Sequence, residues 1–369
     1  MAKIALDARL INSSTGRYIE RLIHYLEQID TNNMYVIIIP SKDKDYYKPS
    51  NPRFSIAISD HPIYSFAEQV GFKNLLDEIS PDLVHFCMPQ QPILYKGRSV
   101  TTIHDLTLLN TYNSDKNWFI YRSKQFVGRF VFKRVARSSR FIITPTEYVK
   151  KTVVEFAHIP ESKVRVTLEA AEAVHDKPQP YLPMDSKDFI MYVGSQSDYK
   201  NAKRLILAHQ KLLSSNPELR LVLVGKTTGA NGAAAGRNQD WSKAQNHKNV
   251  TFTGFLPDDQ LAWLYENTRA YVFPSLMEGF GLPGLEAMAS GAPVVSSNAT
   301  CLPEVHGGAA EYFNPLDIND IAQAIERVIS DDELRSKLIE LGHNQVAKYS
   351  WQRMAEQTHQ VYLDALSSK

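Results

Sequence analysis

Residues 274–293, PSLMEGFGLPGLEAMASGAP, constrain this chain more than any other stretch. The apolar run Ala270–Phe273 leads in as a strand, and Glu278, Gly279, Phe280 and Gly281 form a glycine loop. A helical run from Pro283 to Ser290 follows Leu282 and closes at Gly291 and Pro293. Proline suits a first helical turn and glycine the residue just past the last one. Strand, glycine loop, helix is a geometry in which unpaired backbone N–H groups and the positive helix end face an anion. Glu278 falls in the loop and Glu286 in the first turn of the helix. A carboxylate repels a phosphate held beside it, so both are expected to accept hydrogen bonds from hydroxyls. A ligand with a diphosphate at its centre and hydroxyl-rich rings at both ends fits, and a nucleotide-sugar has that shape. The plainer reading is a turn followed by a helix that a first-turn Glu stabilises by about 0.3–1 kcal/mol.

The chain of 369 residues predicts two domains. A net charge of +1 gives no global field for nucleic acid. The two cysteines, Cys87 and Cys301, match no metal spacing and suit a reducing compartment. The first residues, MAKIALDARL, enter a strand pattern with no signal-peptide core, and apolar runs such as Tyr35–Ile39 are far short of the ~20 residues that span a bilayer. These features predict a cytoplasmic enzyme.

Strands are expected at Lys3–Asp7, Tyr35–Pro40, Phe54–Ile58, Asp82–Phe86, Val100–Ile103, Phe141–Thr144 and Lys163–Thr167. Helices are expected at about 17–29, 66–79 and 147–158. This alternation implies a parallel sheet covered on both faces. Residues 173–188, with three prolines and little periodicity, read as an interdomain linker. Strands at Phe189–Val193, Arg220–Val224, Val250–Thr253, Val294–Ser296 and Ala309–Phe313 then alternate with helices at about 202–213, 258–266, 318–329, 334–349 and 351–366. Residues 227–246 read as a mobile loop, and Leu302–Val305 as the opening of another loop beneath the glycine loop.

Several side chains stand where such a fold exposes chemistry. His104 and Asp105 follow a strand directly, and residues at carboxyl ends of parallel strands face the ligand crevice. There Asp105 would fix the His104 tautomer or bind an acceptor. A structural histidine is the plain alternative. Lys200, Lys203 and Arg204 crowd the start of a helix, where cations oppose the dipole; an anionic diphosphate would explain them, and solvated surface charge is the plainer reading for Lys203 and Arg204. Gly16, in the loop after the first strand, is a close-approach candidate or a turn glycine. Asp43-Lys44-Asp45 has the spacing of a metal-binding carboxylate pair but reads better as a solvated loop. Residues 116–140 contain no acid; Ile120, Val127, Val131 and Val135 share one helical face, with Arg122, Arg129, Lys133 and Arg137 roughly opposite. Such a helix can lie on an anionic membrane or simply bury its apolar side.

The run E-G-F-G-L-P-G-L-E, with Glu278 and Glu286 separated by seven residues, resembles the signature of the retaining GT-B glycosyltransferases of family 4. The resemblance extends over most of the chain, strongest at 274–313 and fair at 189–207 and 99–106. It implies two Rossmann-like domains facing each other across a deep cleft. The acceptor side would be 1–178, rejoined by a final helix at 351–369, and the nucleotide-sugar side 179–350. It implies that Glu278 contacts the transferred sugar, that Glu286 contacts the ribose, and that amides of Gly279, Phe280, Gly281 and Leu282 contact sugar and phosphate. His104 would lie close to the transferred sugar, Lys200 would bind the diphosphate with Gly194, Ser195 and Asn201 nearby, and the backbone around Leu256 would read the base. The chain departs from the family where Ser195 and Tyr199 replace arginines and where Ser14-Thr15-Gly16 keeps one glycine of two.

The resemblance thus implies transfer of a hexose-type sugar from a GDP-, UDP- or dTDP-sugar to a glycan or lipid-linked acceptor. Anomeric configuration would be retained, with no metal and no cofactor. The catalytic candidates are His104, Glu278 and Lys200. Peripheral contact with the inner face of a membrane through 116–140 is compatible with lipid-linked acceptors. A nucleotide-sugar epimerase and a non-catalytic nucleotide- or sugar-binding protein are the alternatives. A dinucleotide-dependent dehydrogenase is disfavoured, because no G-x-G-x-x-G follows the first strand, and so is a nucleic-acid binder.

Overall fold

The computed structural model describes residues 1–13, 15–110, 118–175, 177–183, 188–225 and 247–367. The glycine-rich stretch 227–246, Ser14 and the start of the 116–140 segment therefore lie outside the described residues.

The chain forms two compact units. The first comprises Met1–Leu109, Arg122–Glu169 and Ser350–Lys369, and the second is built mainly from Ala170–Tyr349. In chain order the first unit contains β1 (Lys3–Asp7), α1 (Gly16–Ile29), β2 (Met34–Ile39), β3 (Phe54–Ile58), α2 (Lys73–Ile79), β4 (Leu83–Phe86), β5 (Ser99–Thr102), α3 (Thr107–Asn110), α4 (Trp118–Ser138), β6 (Phe141–Thr144), α5 (Glu147–Ala157) and β7 (Val164–Val166). The second contains β8 (Phe189–Val193), α6 (Ala202–Leu212), β9 (Arg220–Val224), β10 (Val250–Gly254), α7 (Asp258–Asn267), β11 (Ala270–Phe273), α8 (Leu282–Ala289), β12 (Val294–Ser297), α9 (Leu302–His306), β13 (Ala310–Phe313), α10 (Ile318–Ser330) and α11 (Asp332–Val346). Helix α12 (Trp351–Ser367) belongs to the first unit.

Each unit is one parallel sheet. The orders are β3-β2-β1-β4-β5-β6-β7 and β10-β9-β8-β11-β12-β13. Both are wound outward from a centre, so the order reverses between β1 and β4 in one and between β8 and β11 in the other. In such sheets the crevice outside the carboxyl ends of the strands at the reversal is where ligands bind.

The sequence explains these elements locally. The strands are near-continuous apolar runs because both faces are buried; Phe189, Ile190, Met191, Val272, Phe273 and Val295 are all below 1 % exposed. Helices carry a single apolar stripe: Leu22, Ile23 and Leu26 are buried on α1, and Ile321, Ile325 and Val328 on α10. Side-chain caps set several starts. Thr146 accepts from the Val149 amide at α5, Asp317 from Asn319 and Asp320 at α10, and Asp331 from Leu334 at α11.

Two expected elements differ. The helix expected over 66–79 is a π-helical turn at Glu68–Phe72 followed by α2. The wider turn brings Glu68 and Phe72 to one buried face, where the Arg9 guanidinium lies 3.7 Å from the Phe72 ring centroid and 2.8 Å from Glu68 Oε1. Leu302–Val305, expected as loop, is the short helix α9, with proline in its first turn and His306 at its end.

Candidate active site

In the second unit, two loops leave the reversal point and meet. After β8 the chain passes Gly194 and Ser195 into a tight turn at Asp198–Lys200, and Asn201 in the left-handed conformation then opens α6. After β11 it passes Pro274 into the loop that carries Glu278. Lys200 Nζ lies 2.6 Å from Glu278 Oε1, with both side chains largely but not fully covered. The Lys200 ammonium also sits 5.4 Å from the Tyr199 ring centroid and 6.0 Å from that of Phe273. The Leu276 amide donates to the Tyr199 carbonyl at 2.8 Å. Asn201 fastens the loops further: its Nδ2 donates to the carbonyls of Pro274 and Pro315 at 3.0 and 2.7 Å, and its Oδ1 accepts from Arg204. Asn201 is thus buried among protein partners. Ser195 Oγ lies 3.0 Å from Ser197 Oγ, and its carbonyl accepts from the Tyr192 hydroxyl. Lys203 pairs with Asp198 at 3.7 Å.

The glycine loop rests on a buried floor. The Glu278 amide donates to Thr300 Oγ1 at 3.2 Å, and the Cys301 thiol donates to the Glu278 carbonyl. Phe280 is buried edge-on against Tyr349, with ring centroids 5.6 Å apart. Gly281 has φ +96° and is the residue before the helix, so α8 begins at Leu282 and not at Pro283. Glu286 is therefore the fifth residue of α8, past the first turn in which the sequence placed it, and it is buried to 8 % exposure. A first-turn dipole contact no longer accounts for it. Beneath the loop, a Cβ at Gly284 would stand 2.2 Å from His306 Nε2. Burial drives the His306 pKa down to about 4, which keeps the ring neutral, and its Nδ1 lies 3.2 Å from Ser296 Oγ. Leu256 is buried while Phe255 beside it is 78 % exposed.

In the first unit, His104 follows β5 and is held at both ring nitrogens. Nδ1 lies 3.0 Å from Glu169 Oε1, and Nε2 lies 3.2 Å from the Cys87 carbonyl. Asp105 does not make the tautomer-fixing contact expected of it; its Oδ1 accepts from the Thr107 amide at 2.8 Å and starts α3. Glu169 takes that place. Gly16 approaches its own loop: a Cβ there would stand 1.8 Å from the Ile11 carbonyl oxygen. Asp43 is not solvated as expected but buried, accepting from Asn12 Nδ2 at 3.0 Å. At the end of β1, Arg9 bridges the buried carboxylates of Asp7 and Glu68, at 2.8 Å to each. Burial lowers the Arg9 pKa, the two carboxylates more than offset it, and the net shift is upward; burial raises that of Glu68 despite Arg9.

The second unit thus offers a partly covered lysine–carboxylate pair beside a loop that leads into a helix. The first offers a histidine fixed by a carboxylate. Among the described residues no three of His, Cys, Asp and Glu gather as a metal-ligating set, and no helix is long and apolar enough to cross a membrane. Of the residues named from the sequence, Lys200 and Glu278 are brought together and His104 is held at both ring nitrogens. Glu169, Arg9, Glu68 and His306 were not anticipated, and most of their partners are distant in the chain. Arg9 alone carried a local signal, lying two positions beyond Asp7.

Comparison with known proteins agrees with this architecture. The family model described as glycosyl transferases group 1 matches residues 175–345, and that for glycosyltransferase family 4 matches residues 15–167. The chain is 29% identical over 285 residues to O-antigen chain mannosyltransferase B of Escherichia coli, covering 72% of this chain and 70% of that protein. It is 28% identical over 377 residues to the serotype-specific mannosyltransferase WbdA of Escherichia coli, covering 95% of this chain but only 44% of that longer protein. Among solved structures, sucrose-phosphate synthase from Thermosynechococcus elongatus superposes with a TM-score of 0.76 at 19% identity, with 100% of each chain covered.

Proposed function

Because the chain is a group 1 glycosyltransferase with the GT-B fold, we propose that it moves a hexose-type sugar from a nucleotide-sugar to a hydroxyl of a glycan or lipid-linked acceptor, with retention and without a metal. The observation that carries this reading is the Lys200–Glu278 pair at the reversal point of the second sheet. A donor diphosphate entering there exchanges one carboxylate for phosphate oxygens on the Lys200 ammonium. The exchange frees Glu278 to accept from hydroxyls of the transferred sugar. The amides at the start of α8 add positive potential, and Glu286 takes the ribose hydroxyls.

In the reaction the acceptor oxygen bonds to the anomeric carbon as the bond from that carbon to the phosphate oxygen breaks. The acceptor proton passes to the departing diphosphate, so the products are the glycoside and a nucleoside diphosphate. The protein's part is positioning and charge stabilisation of the leaving group. Lys200 supplies charge that a metal provides in other transferases. A glycosidase-like double displacement needs two carboxyls flanking the anomeric carbon, whereas Glu278 and Glu286 are assigned to different parts of the donor. The mannosyltransferase names of the matched relatives make a mannose donor the first to try.

The reading includes a membrane-bound acceptor. On α4 the expected apolar stripe is not wholly inward: Val135 is buried but Val127 is 58 % exposed, alongside Phe126 and Phe130 at 77 and 59 %. Arg129, Arg134 and Arg137 are exposed on the same helix. Exposed aromatics beside cations suit an anionic lipid interface, and flotation with anionic vesicles checks it. The test of the function is a screen of GDP-, UDP- and dTDP-sugars with glycan acceptors in EDTA, with the product linkage read by NMR. The proposal expects one donor to give a glycoside of unchanged anomeric configuration. Inverted product, or turnover of donor without acceptor, would overturn it.

A further inference from the structure

Glu169 lies just beyond β7, 65 positions from His104 in the chain, yet its carboxylate meets the His104 ring. The two groups around that ring are both acceptors: the Glu169 carboxylate at Nδ1 and the Cys87 carbonyl at Nε2. A neutral imidazole has a single N–H. Either neutral tautomer would aim a lone pair at one of these oxygens, and only the imidazolium donates to both. We propose that Glu169 is a positioning residue that holds His104 as a doubly protonated cation, so that His104 serves sugar transfer as a fixed donor and positive charge and not as a base. The role in transfer rests on the function proposed above; the charge state does not.

The groups facing the ring from each packed element agree. Tyr18 of α1 lies edge-on, with ring centroids 4.7 Å apart, and its hydroxyl shares a 2.9 Å hydrogen bond with Thr102 of β5. Burial pushes the Tyr18 phenol and the Cys87 thiol well up, so neither competes as an anion. His85 of β4, clamped between Thr102 and Tyr362 of α12 at 2.8 and 2.6 Å, is driven by burial down to about 3 and adds no like charge. Asp105 and Glu169 supply the negative charge. Burial pulls the His104 pKa down, the Glu169 carboxylate more than offsets it, and the net shift is upward. Of the two N–H groups, Nε2–H makes the longer contact and is the one a substrate hydroxyl can share. A histidine barred from acting as a base fits a reaction whose proton leaves on the diphosphate.

The test is the ring titration of His104, assigned in the NMR spectrum by comparison with His104→Gln, in the wild-type chain and in Glu169→Gln. The wild-type midpoint should lie above the ordinary 6.5, and Glu169→Gln should lower it by about 1–3 units, the usual effect of losing an adjacent opposite charge. Transfer by Glu169→Gln should fall about tenfold or more near pH 8 and recover as acid restores the imidazolium, while Glu169→Asp should keep a near-native pH profile. A wild-type midpoint below 6.5, an unmoved midpoint in Glu169→Gln, or a loss of activity equal at every pH would overturn the proposal. If Glu169→Gln does not fold, the wild-type midpoint decides. If no donor is turned over at all, the transferase reading fails while the titration still judges the charge state.

Discussion

The two units carry the same sheet plan but hold their cations differently at the reversal point. At the reversal point of the first, Arg9 is locked between Asp7 and Glu68, all three no more than 8 % exposed. At the reversal point of the second, Lys200 has its salt-bridge partner Glu278 at 2.6 Å, with side chains 17 and 12 % exposed. A cation shared by two buried carboxylates has nothing to offer a ligand and fixes geometry instead. A less buried pair is easier for an anion to open. One scaffold, used twice, thus sets a buried wall in one unit against a more exposed pair in the other, and the difference lies in a few loop residues.

The largest expected effect comes from breaking the wall. Arg9→Leu leaves two buried carboxylates without their cation, and stability should fall by about 3–5 kcal/mol. Denaturant unfolding measures it, and a loss below 1 kcal/mol would mean that the cluster is wetter than the structure shows. Next is the exchangeable cation. Lys200→Ala should lower transfer about 10²–10³-fold, the range for removing one preorganised charge from a leaving group, and should weaken nucleoside diphosphate binding. Glu278→Ala should also reduce transfer but leave that binding intact, because it removes the group the diphosphate displaces. Equal loss of nucleotide affinity in the two variants would erase the distinction between the units' chemistry. A smaller effect, about 10-fold or somewhat more in nucleotide affinity, is expected for Glu286→Ala through the ribose hydroxyls.

The smallest effect sharpens the comparison by pH. The folded pKa of His104 is raised above its unfolded value of 6.5. Its contribution to stability is therefore complete below that value and is lost as pH rises through the folded pKa. His306 in the second unit works the other way, its folded pKa being depressed to about 4. Its contribution is present above 6.5 and is lost as pH falls from there toward 4. Melting temperatures from pH 4 to 9 should show the alkaline loss vanish in His104→Gln and the acid loss vanish in His306→Gln.

Much of the scaffold was legible because parallel strands are short apolar runs between glycines and prolines. Phe54–Ile58, Phe141–Thr144, Phe189–Val193, Arg220–Val224 and Ala270–Phe273 fall where periodicity sets them. Register near special backbone was less legible. Gly281 opens α8 one residue ahead of Pro283, and that moves Glu286 out of the first turn. The π-helical turn at Glu68–Phe72 answers to Arg9, 59 positions from Glu68 in the chain. Candidate residues beside a strand end or a glycine loop, such as His104, Lys200 and Glu278, have local context. Glu169 has none, since its meaning comes from a ring 65 positions away. His306 is similar: it explains why position 284 is glycine, and only the fold puts the two together.

The proposed chemistry requires the second unit to hold a nucleotide through Lys200. Calorimetric titration of UDP, GDP, dTDP and ADP in EDTA, into the wild-type chain, Lys200→Ala and Glu278→Ala, tests it directly. One nucleotide should bind without metal, lose affinity in Lys200→Ala and keep it in Glu278→Ala. No binding by any of the four to the folded wild-type chain, or binding indifferent to Lys200, would contradict it.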